Sequence, residues 1–195
     1  NRKNEFDQEL YPKFGSLGVL GQTVKSHGGS GTSNLAYGLV AYEFEKIDSS
    51  YRSSISVQSS LVIHPINEFG SQEQKDRYLP QLIKGEKIGC FGLTESEAGS
   101  DPASMKTSFK KTKDGYILNG SKNWITNAPI ADIFIIWAIE ENKDYKSIKG
   151  FIIEKNTEGL NTSTIENKTS LKISPTGQII LNNVFVPNNL CLENT

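Results

Sequence analysis

The sequence predicts an α+β protein, with an N-terminal α-helical domain over residues 1–87 and an antiparallel β-barrel domain over 88–195. Three observations carry this. Apolar residues recur at helical spacing as far as Gly85. From Ile88 onward the period falls to two. The second half also contains Asp114-Gly115 and Asn119-Gly120, dipeptides that mark tight turns between strands.

Composition narrows the classes. The chain has 195 residues and a net charge of −1, enough for one or two small domains with a real core. It has no basic stripe to neutralise nucleic-acid phosphates. The longest apolar run, from Ile133 to Ile139, is too short to cross a bilayer. The two cysteines, Cys90 and Cys191, are too few for a disulfide framework and read as reduced core thiols of an intracellular protein. With two histidines, His27 and His64, neither a zinc site nor a Ser-His-Asp hydrolase is expected. The chain opens Asn1-Arg2-Lys3 without an initiator Met or signal peptide, and is expected to be part of something longer.

In chain order, residues 1–14 read as the end of a helix with Phe6, Leu10 and Phe14 on one face. Gly28-Gly29-Ser30-Gly31-Thr32-Ser33 breaks it, and Ser33 can cap the next helix. That helix carries an apolar stripe of Ala36, Leu39, Val40, Phe44 and Ile47, with Glu45 facing away. Asp48-Ser49-Ser50 restarts a helix over 51–63 that ends or kinks at His64-Pro65. Ser71 and Gln74 form a capping box, and Gly85 stops the helix they begin. Strands follow near 109–112, 116–118, 122–126, 133–139, 150–153, 178–181 and 184–186, with turns at Asn119-Gly120 and Asn182-Asn183. They are expected to form an antiparallel meander, closed or folded over to protect its edges. The charged stretch 140–147 reads as a solvated loop.

Two stretches suggest chemistry. Phe91-Gly92-Leu93-Thr94-Glu95-Ser96-Glu97-Ala98-Gly99-Ser100-Asp101 joins the two halves with small and hydroxyl residues. Its backbone N–H groups and hydroxyls suit phosphate oxygens, although composition equally allows an ordinary strand-end turn. The helix at 51–63 is rich in serine and carries Arg52. Arg52 and Ser56 lie on one face, so Arg52 with Ser53 and Ser56 could receive a carboxylate. The plainer alternative is small-residue helix packing, with Arg52 paired to Glu45 or Asp48.

Taken in order, Tyr78-Leu79-Pro80 ending at Gly85, then Leu93-Thr94-Glu95 with Ala98-Gly99-Ser100-Asp101, then Trp124-Ile125-Thr126-Asn127, the sequence resembles the acyl-CoA dehydrogenase flavoproteins. Within that family it is most similar to the glutaryl-CoA dehydrogenases, on the run from Tyr51 to Val62, His64-Pro65-Ile66, the run from Cys90 to Glu95, and Ser170-Leu171 with Thr176-Gly177. Relatives acting on simple acyl chains lack an arginine at the position of Arg52. The loop departs at Ser96-Glu97-Ala98, where the family often has a proline.

The resemblance implies FAD as cofactor, bound through Phe91, Gly92, Leu93, Thr94, Gly99, Ser100, Trp124, Ile125 and Thr126. Thr94 would bond the flavin pyrimidine edge, Thr126 would reach the reactive nitrogen, and Trp124 would lie against the ring. Ser100 would also border the coenzyme A chain. Arg52, Ser53 and Ser56 would hold the distal carboxylate of glutaryl-CoA, with Glu45 orienting Arg52. The reaction implied is oxidation and decarboxylation to crotonyl-CoA, with electrons passed to electron-transfer flavoprotein. The general base is expected in a helical bundle beyond this chain, so no catalytic residue is assigned within it, and no metal. A homotetramer in the mitochondrial matrix, or in a bacterial cytoplasm, would follow. Alternatives are another short-chain or non-decarboxylating acyl-CoA dehydrogenase, or a non-catalytic acyl-CoA-binding module.

Overall fold

Helices come first and strands second, and the boundaries follow local chemistry. The computed structural model describes residues 6–193 and 195, with the backbone alone for Lys146; the first five residues of the expected opening helix lie outside it. Helix α1 is Leu10–Ser16. Its Tyr11 and Phe14 are buried, and Phe6, ahead of the helix, packs on the same cluster. Helix α2, Asn34–Ile47, starts where the Ser33 hydroxyl accepts the Ala36 N–H. The expected stripe is only partly used. Phe44 packs on the core, whereas Leu39 is 58% and Ile47 74% exposed.

Helix α3, Ser49–Ser56, starts two residues earlier than expected, because the Asp48 carboxylate caps the Ser50 N–H at 2.8 Å. The helix does not end at His64-Pro65. A π-helical stretch, Val57–Ile63, runs directly into helix α4, His64–Phe69. A proline ring collides with the carbonyl four residues back in a regular helix. The wider π turn ahead of Pro65 is the accommodation seen here. Helix α5, Gln72–Ile83, has the expected capping box and ends ahead of Gly85 at φ +72°.

The strands are β1 Gly89–Gly92, β2 Ser108–Lys111, β3 Gly115–Thr126, β4 Ile133–Glu140, β5 Lys149–Glu154, β6 Leu160–Thr164 and β7 Thr176–Pro187. They form one curled sheet with the path β1-β4-β2-β3-β7-β6, and β5 pairs the other edge of β4. The expected tight turn between β2 and β3 forms one residue early: the Thr112 N–H donates to Gly115 O at 2.8 Å around Lys113-Asp114, and Gly115 already opens β3. Three strand expectations change. β1 and β2 both pair with β4 in parallel, so the sheet is not a pure antiparallel meander. Asn119-Gly120 and Asn182-Asn183 are not turns; they meet as a bulge between β3 and β7, with Leu118 opposite Val184 and Gly120 opposite Leu181. Asn119 Oδ1 accepts the Asn183 N–H at 2.8 Å, and its amide donates to Asn183 Oδ1 at 3.2 Å. β6, polar and exposed, is an additional strand whose residues carry no apolar alternation.

The apolar run in β4 is explained by burial on both faces. Ile133 and Ile135, with Ile152 of β5, face the helices and join Ile55, Val62, Ile66 and Leu79. Phe134, Ile136 and Ala138 face the inside of the curl with Phe109, Phe151 and Val184. The sheet thereby divides two cores, and β1, on the same sheet, brings its end to the helix side. Among the described residues no helix is long and apolar enough to cross a membrane.

Candidate functional site

The site forms where β1 runs out beside the π-helical stretch. Val57 and Leu61 from that stretch, Phe91, Leu93 and Thr94 from the end of β1, and Trp124, Ile125 and Thr126 from the end of β3 line one hollow of about 340 Å³. Six of the residues expected to bind a cofactor are thus brought together from two segments some thirty positions apart. The wall is mostly apolar, with two threonine hydroxyls.

Trp124 stands in this wall because of a second bulge. Lys122 pairs with Ile179 and Ile125 with Gly177, so two β3 residues face one residue of β7. Trp124 takes φ +60°, its N–H is held by Asn123 Oδ1 at 3.0 Å, and its side chain is left 60% exposed. A large aromatic at positive φ and open to solvent is strained and poorly buried, a combination concentrated at functional sites. Thr126 is fixed from behind by Asn127. That residue is fully buried at φ +69°, its N–H donates to Pro175 O at 2.6 Å, and its amide donates to Gly89 O at 3.1 Å.

The other expected cofactor residues lie elsewhere. Gly92 is buried behind the hollow, where a Cβ would lie 2.6 Å from Ile136 Cδ1. Gly99 and Ser100 are exposed on the loop beyond Thr94 and do not line the hollow. A Cβ on Gly99 would meet open space, so the fold by itself does not demand glycine there.

Arg52, Ser53 and Ser56 are half-buried on α3, and Val57, the next residue, is already in the wall. Arg52 Nε donates to Glu45 Oε2 at 2.7 Å, the plain ion pair weighed from sequence. Glu45 also accepts from the Ser49 hydroxyl. Arg52 first, then Ser49, hold the Glu45 carboxyl below the usual carboxylate range. Among the described residues no second acceptor lies within bonding distance of the guanidinium, which keeps its terminal N–H groups available.

Sequence reasoning missed the pair beneath the hollow. Lys122 is fully buried and its Nζ lies 2.8 Å from Glu95 Oε1. Glu95 accepts the N–H groups of Lys106 at 2.6 Å and Thr107 at 2.9 Å as well. Burial pushes the Glu95 carboxyl up, but Lys122, Thr107 and the two backbone N–H groups outweigh it and hold it below the ordinary glutamate range. Burial likewise pushes the Lys122 ammonium down, opposed by the adjacent carboxylate. We take the pair as charged, because the carboxylate is saturated by donors. No local signal marks it: Glu95 sits in a turn-like loop and Lys122 in a strand 27 positions on.

Comparison with known proteins agrees with this architecture. Residues 1–86 match the family model described as acyl-CoA dehydrogenase, N-terminal domain, and residues 90–184 match the middle domain of the same family. The short-chain specific acyl-CoA dehydrogenase of Clostridium acetobutylicum is 38% identical over 184 residues, covering 93% of this chain and 48% of that protein. Mitochondrial isovaleryl-CoA dehydrogenase of Pongo abelii is 38% identical over 193 residues, covering 96% and 46%. The crystal structure of a glutaryl-CoA dehydrogenase from Mycobacterium smegmatis in complex with FADH2 superposes with TM-score 0.95 at 41% identity, covering all of this chain and 49% of that one. The chain spans about half the length of the curated relatives it matches. With both family models matched in succession and the helix-then-sheet order reproduced, this chain belongs to the acyl-CoA dehydrogenase family, whose N-terminal and middle domains it carries.

Proposed function

We propose that this chain supplies the FAD-facing and acyl-facing surfaces of a glutaryl-CoA dehydrogenase, with the helical part ending at 87 and the β part beginning at 88. The observation that carries the substrate choice is Arg52, held by Glu45 through Nε alone, on the same continuous helical run as, and five residues ahead of, Val57 in the wall of the hollow. Its free N–H groups suit a bidentate carboxylate. Such a carboxylate is the feature that separates a glutaryl thioester from a butyryl one.

The hollow suits FAD on its own geometry. A tryptophan left 60% exposed offers a flat apolar face, and Phe91, Leu93, Val57 and Leu61 extend it. Thr94 and Thr126 offer hydroxyls that can serve a polar ring edge. The chemistry that bound FAD supplies is acceptance of a hydride from the β-carbon of the thioester. This chain's part is to bind and orient. Thr94, Trp124 and Thr126 fix one wall, while Arg52, with Ser53 and Ser56 beside it, fixes the acid tail of the substrate. The apolar side chains exclude water from the space between. With the α-proton taken by a general base, loss of carbon dioxide would leave a dienolate that gains a proton at the γ-carbon to give crotonyl-CoA, and the electron acceptor would be an electron-transfer flavoprotein. To Ser100, exposed beyond the hollow, this reading assigns the coenzyme A and pyrophosphate groups. The intact enzyme is proposed as a tetramer, like other members of the family.

A second reading is a dehydrogenase of short or branched monocarboxylic chains, favoured by the identity to short-chain and isovaleryl enzymes. Steady-state kinetics of the intact protein decide between them. Under the glutaryl reading, Arg52→Ala lowers kcat/KM for glutaryl-CoA by roughly ten- to a hundredfold, the size of one charge-assisted contact, and leaves butyryl-CoA little changed. An unchanged ratio between the two substrates rejects it in favour of the second reading.

A further inference from the structure

Several fixed points of the hollow meet on one buried ammonium. Lys122 Nζ donates to Leu93 O at 3.1 Å and to Glu95 Oε1 at 2.8 Å, so it holds the residues on both sides of Thr94. The Thr94 carbonyl in turn accepts the N–H of Asn123, the residue after Lys122, at 2.9 Å. Trp124 follows at once, with its own N–H on the Asn123 side chain. From the far side Lys106 and Thr107 fill the remaining positions on the Glu95 carboxylate. The loop from 93 to 107 is thereby closed onto β3 around a charge pair.

Stability alone is a weak reason for such a pair. The cost of desolvating two charges commonly offsets their attraction, and an apolar pair of the same volume often serves as well. What an ammonium adds is direction. Its N–H groups reach two oxygens at set angles, and here those oxygens belong to Leu93 and Glu95, the residues on either side of Thr94.

We infer that Lys122 and Glu95 are a positioning pair that fixes Thr94 and Trp124 at one separation across the hollow. The inference rests on the FAD reading above. It adds two residues that touch neither cofactor nor substrate and act through those that do.

The test titrates the intact protein, stripped of FAD, with FAD itself, following the quenching of tryptophan emission and the visible absorption of the bound flavin. Lys122→Met is expected to weaken binding by at least about tenfold and to shift the absorption band, because both walls relax. That variant alone leaves a carboxylate buried without its partner and can unfold. The neutral double variant, Lys122→Met with Glu95→Gln, is therefore measured beside it and is expected to keep the fold yet show the same two changes. Wild-type affinity and an unmoved spectrum in the folded double variant would overturn the inference. Failure of the unaltered intact protein to bind FAD would instead reject the functional reading on which it rests.

Discussion

Arg52 Nε donates to Glu45 Oε2 across 2.7 Å, tying the last turn of α2 to the first turn of α3. The contact is open to water on both sides, with the arginine 36% and the glutamate 45% exposed. An exposed pair of this kind contributes little to folding. Its consequence is orientation, since it holds the guanidinium through Nε and leaves the terminal N–H groups without an acceptor among the described residues. Glu45→Gln is expected to leave the melting temperature unchanged and to lower kcat/KM for glutaryl-CoA by roughly fivefold. Butyryl-CoA kinetics measured in parallel should not move; an equal loss on both substrates would reject the orienting role.

Acid should loosen the loop that carries Thr94. The folded pKa of Glu95 lies below its unfolded value, near 4.3 for an ordinary glutamate. A depressed carboxylate contributes stability that is fully present above the unfolded pKa and is lost as pH falls through the folded one. Melting curves of the parent and Glu95→Gln between neutral pH and about pH 3 give the check. The gap between them should be widest above pH ~5 and close on acidification. A gap independent of pH would show that Glu95 is not ionised in the folded protein.

Gln58 should be among the costliest buried polar residues to lose. Fully buried, it donates to Leu82 O at 3.0 Å and Lys87 O at 2.8 Å, and accepts the Gly89 N–H at 2.8 Å. It pins the π-helical stretch to the end of α5 and the start of β1. Gln58→Leu keeps the volume but strands three backbone groups, at about 1–3 kcal/mol for each one left unsatisfied. Chemical denaturation should register a loss of at least about 3 kcal/mol. A loss under ~1 kcal/mol would mean that water reaches these groups.

Gly120 should resist substitution although it is not in a turn. Its φ is +144°, and a Cβ would lie 2.6 Å from Thr107 Cα. Gly120→Ala is expected to destabilise by about 2 kcal/mol or more, through strain and overpacking together. Asn183→Gly, at a φ of +52° on the other side of the same bulge, relieves strain and keeps the backbone N–H bond to Asn119 Oδ1, but loses the Asn183 Oδ1 that accepts the Asn119 amide. It should fall within ~1 kcal/mol of the parent. Comparable losses at the two sites would contradict this account of the bulge.

Features set by neighbours along the chain are legible in the residues alone. Ser33, the Ser71–Gln74 box and Gly85 set helix ends through bonds or φ values spanning four residues or fewer, and the Asp114-Gly115 signal marks the turn from β2 to β3 to within a residue. The Trp124-Ile125-Thr126 and Leu93-Thr94 motifs were legible as well, because their residue types and order are distinctive. Tertiary structure alone decided the rest. Asn119-Gly120 and Asn182-Asn183 have the same local preferences as hairpin turns, and only their meeting across β3 and β7 makes them a bulge. The parallel pairing of β1 and β2 with β4 depends on which strands are brought side by side. Lys122 and Glu95 carry no shared pattern; they become a pair because folding closes a loop of 27 positions and buries each charge beside the other. Local propensity acts over a few bonds, whereas bulges, parallel pairs and buried ions are settled by contacts that exist only after the chain has folded.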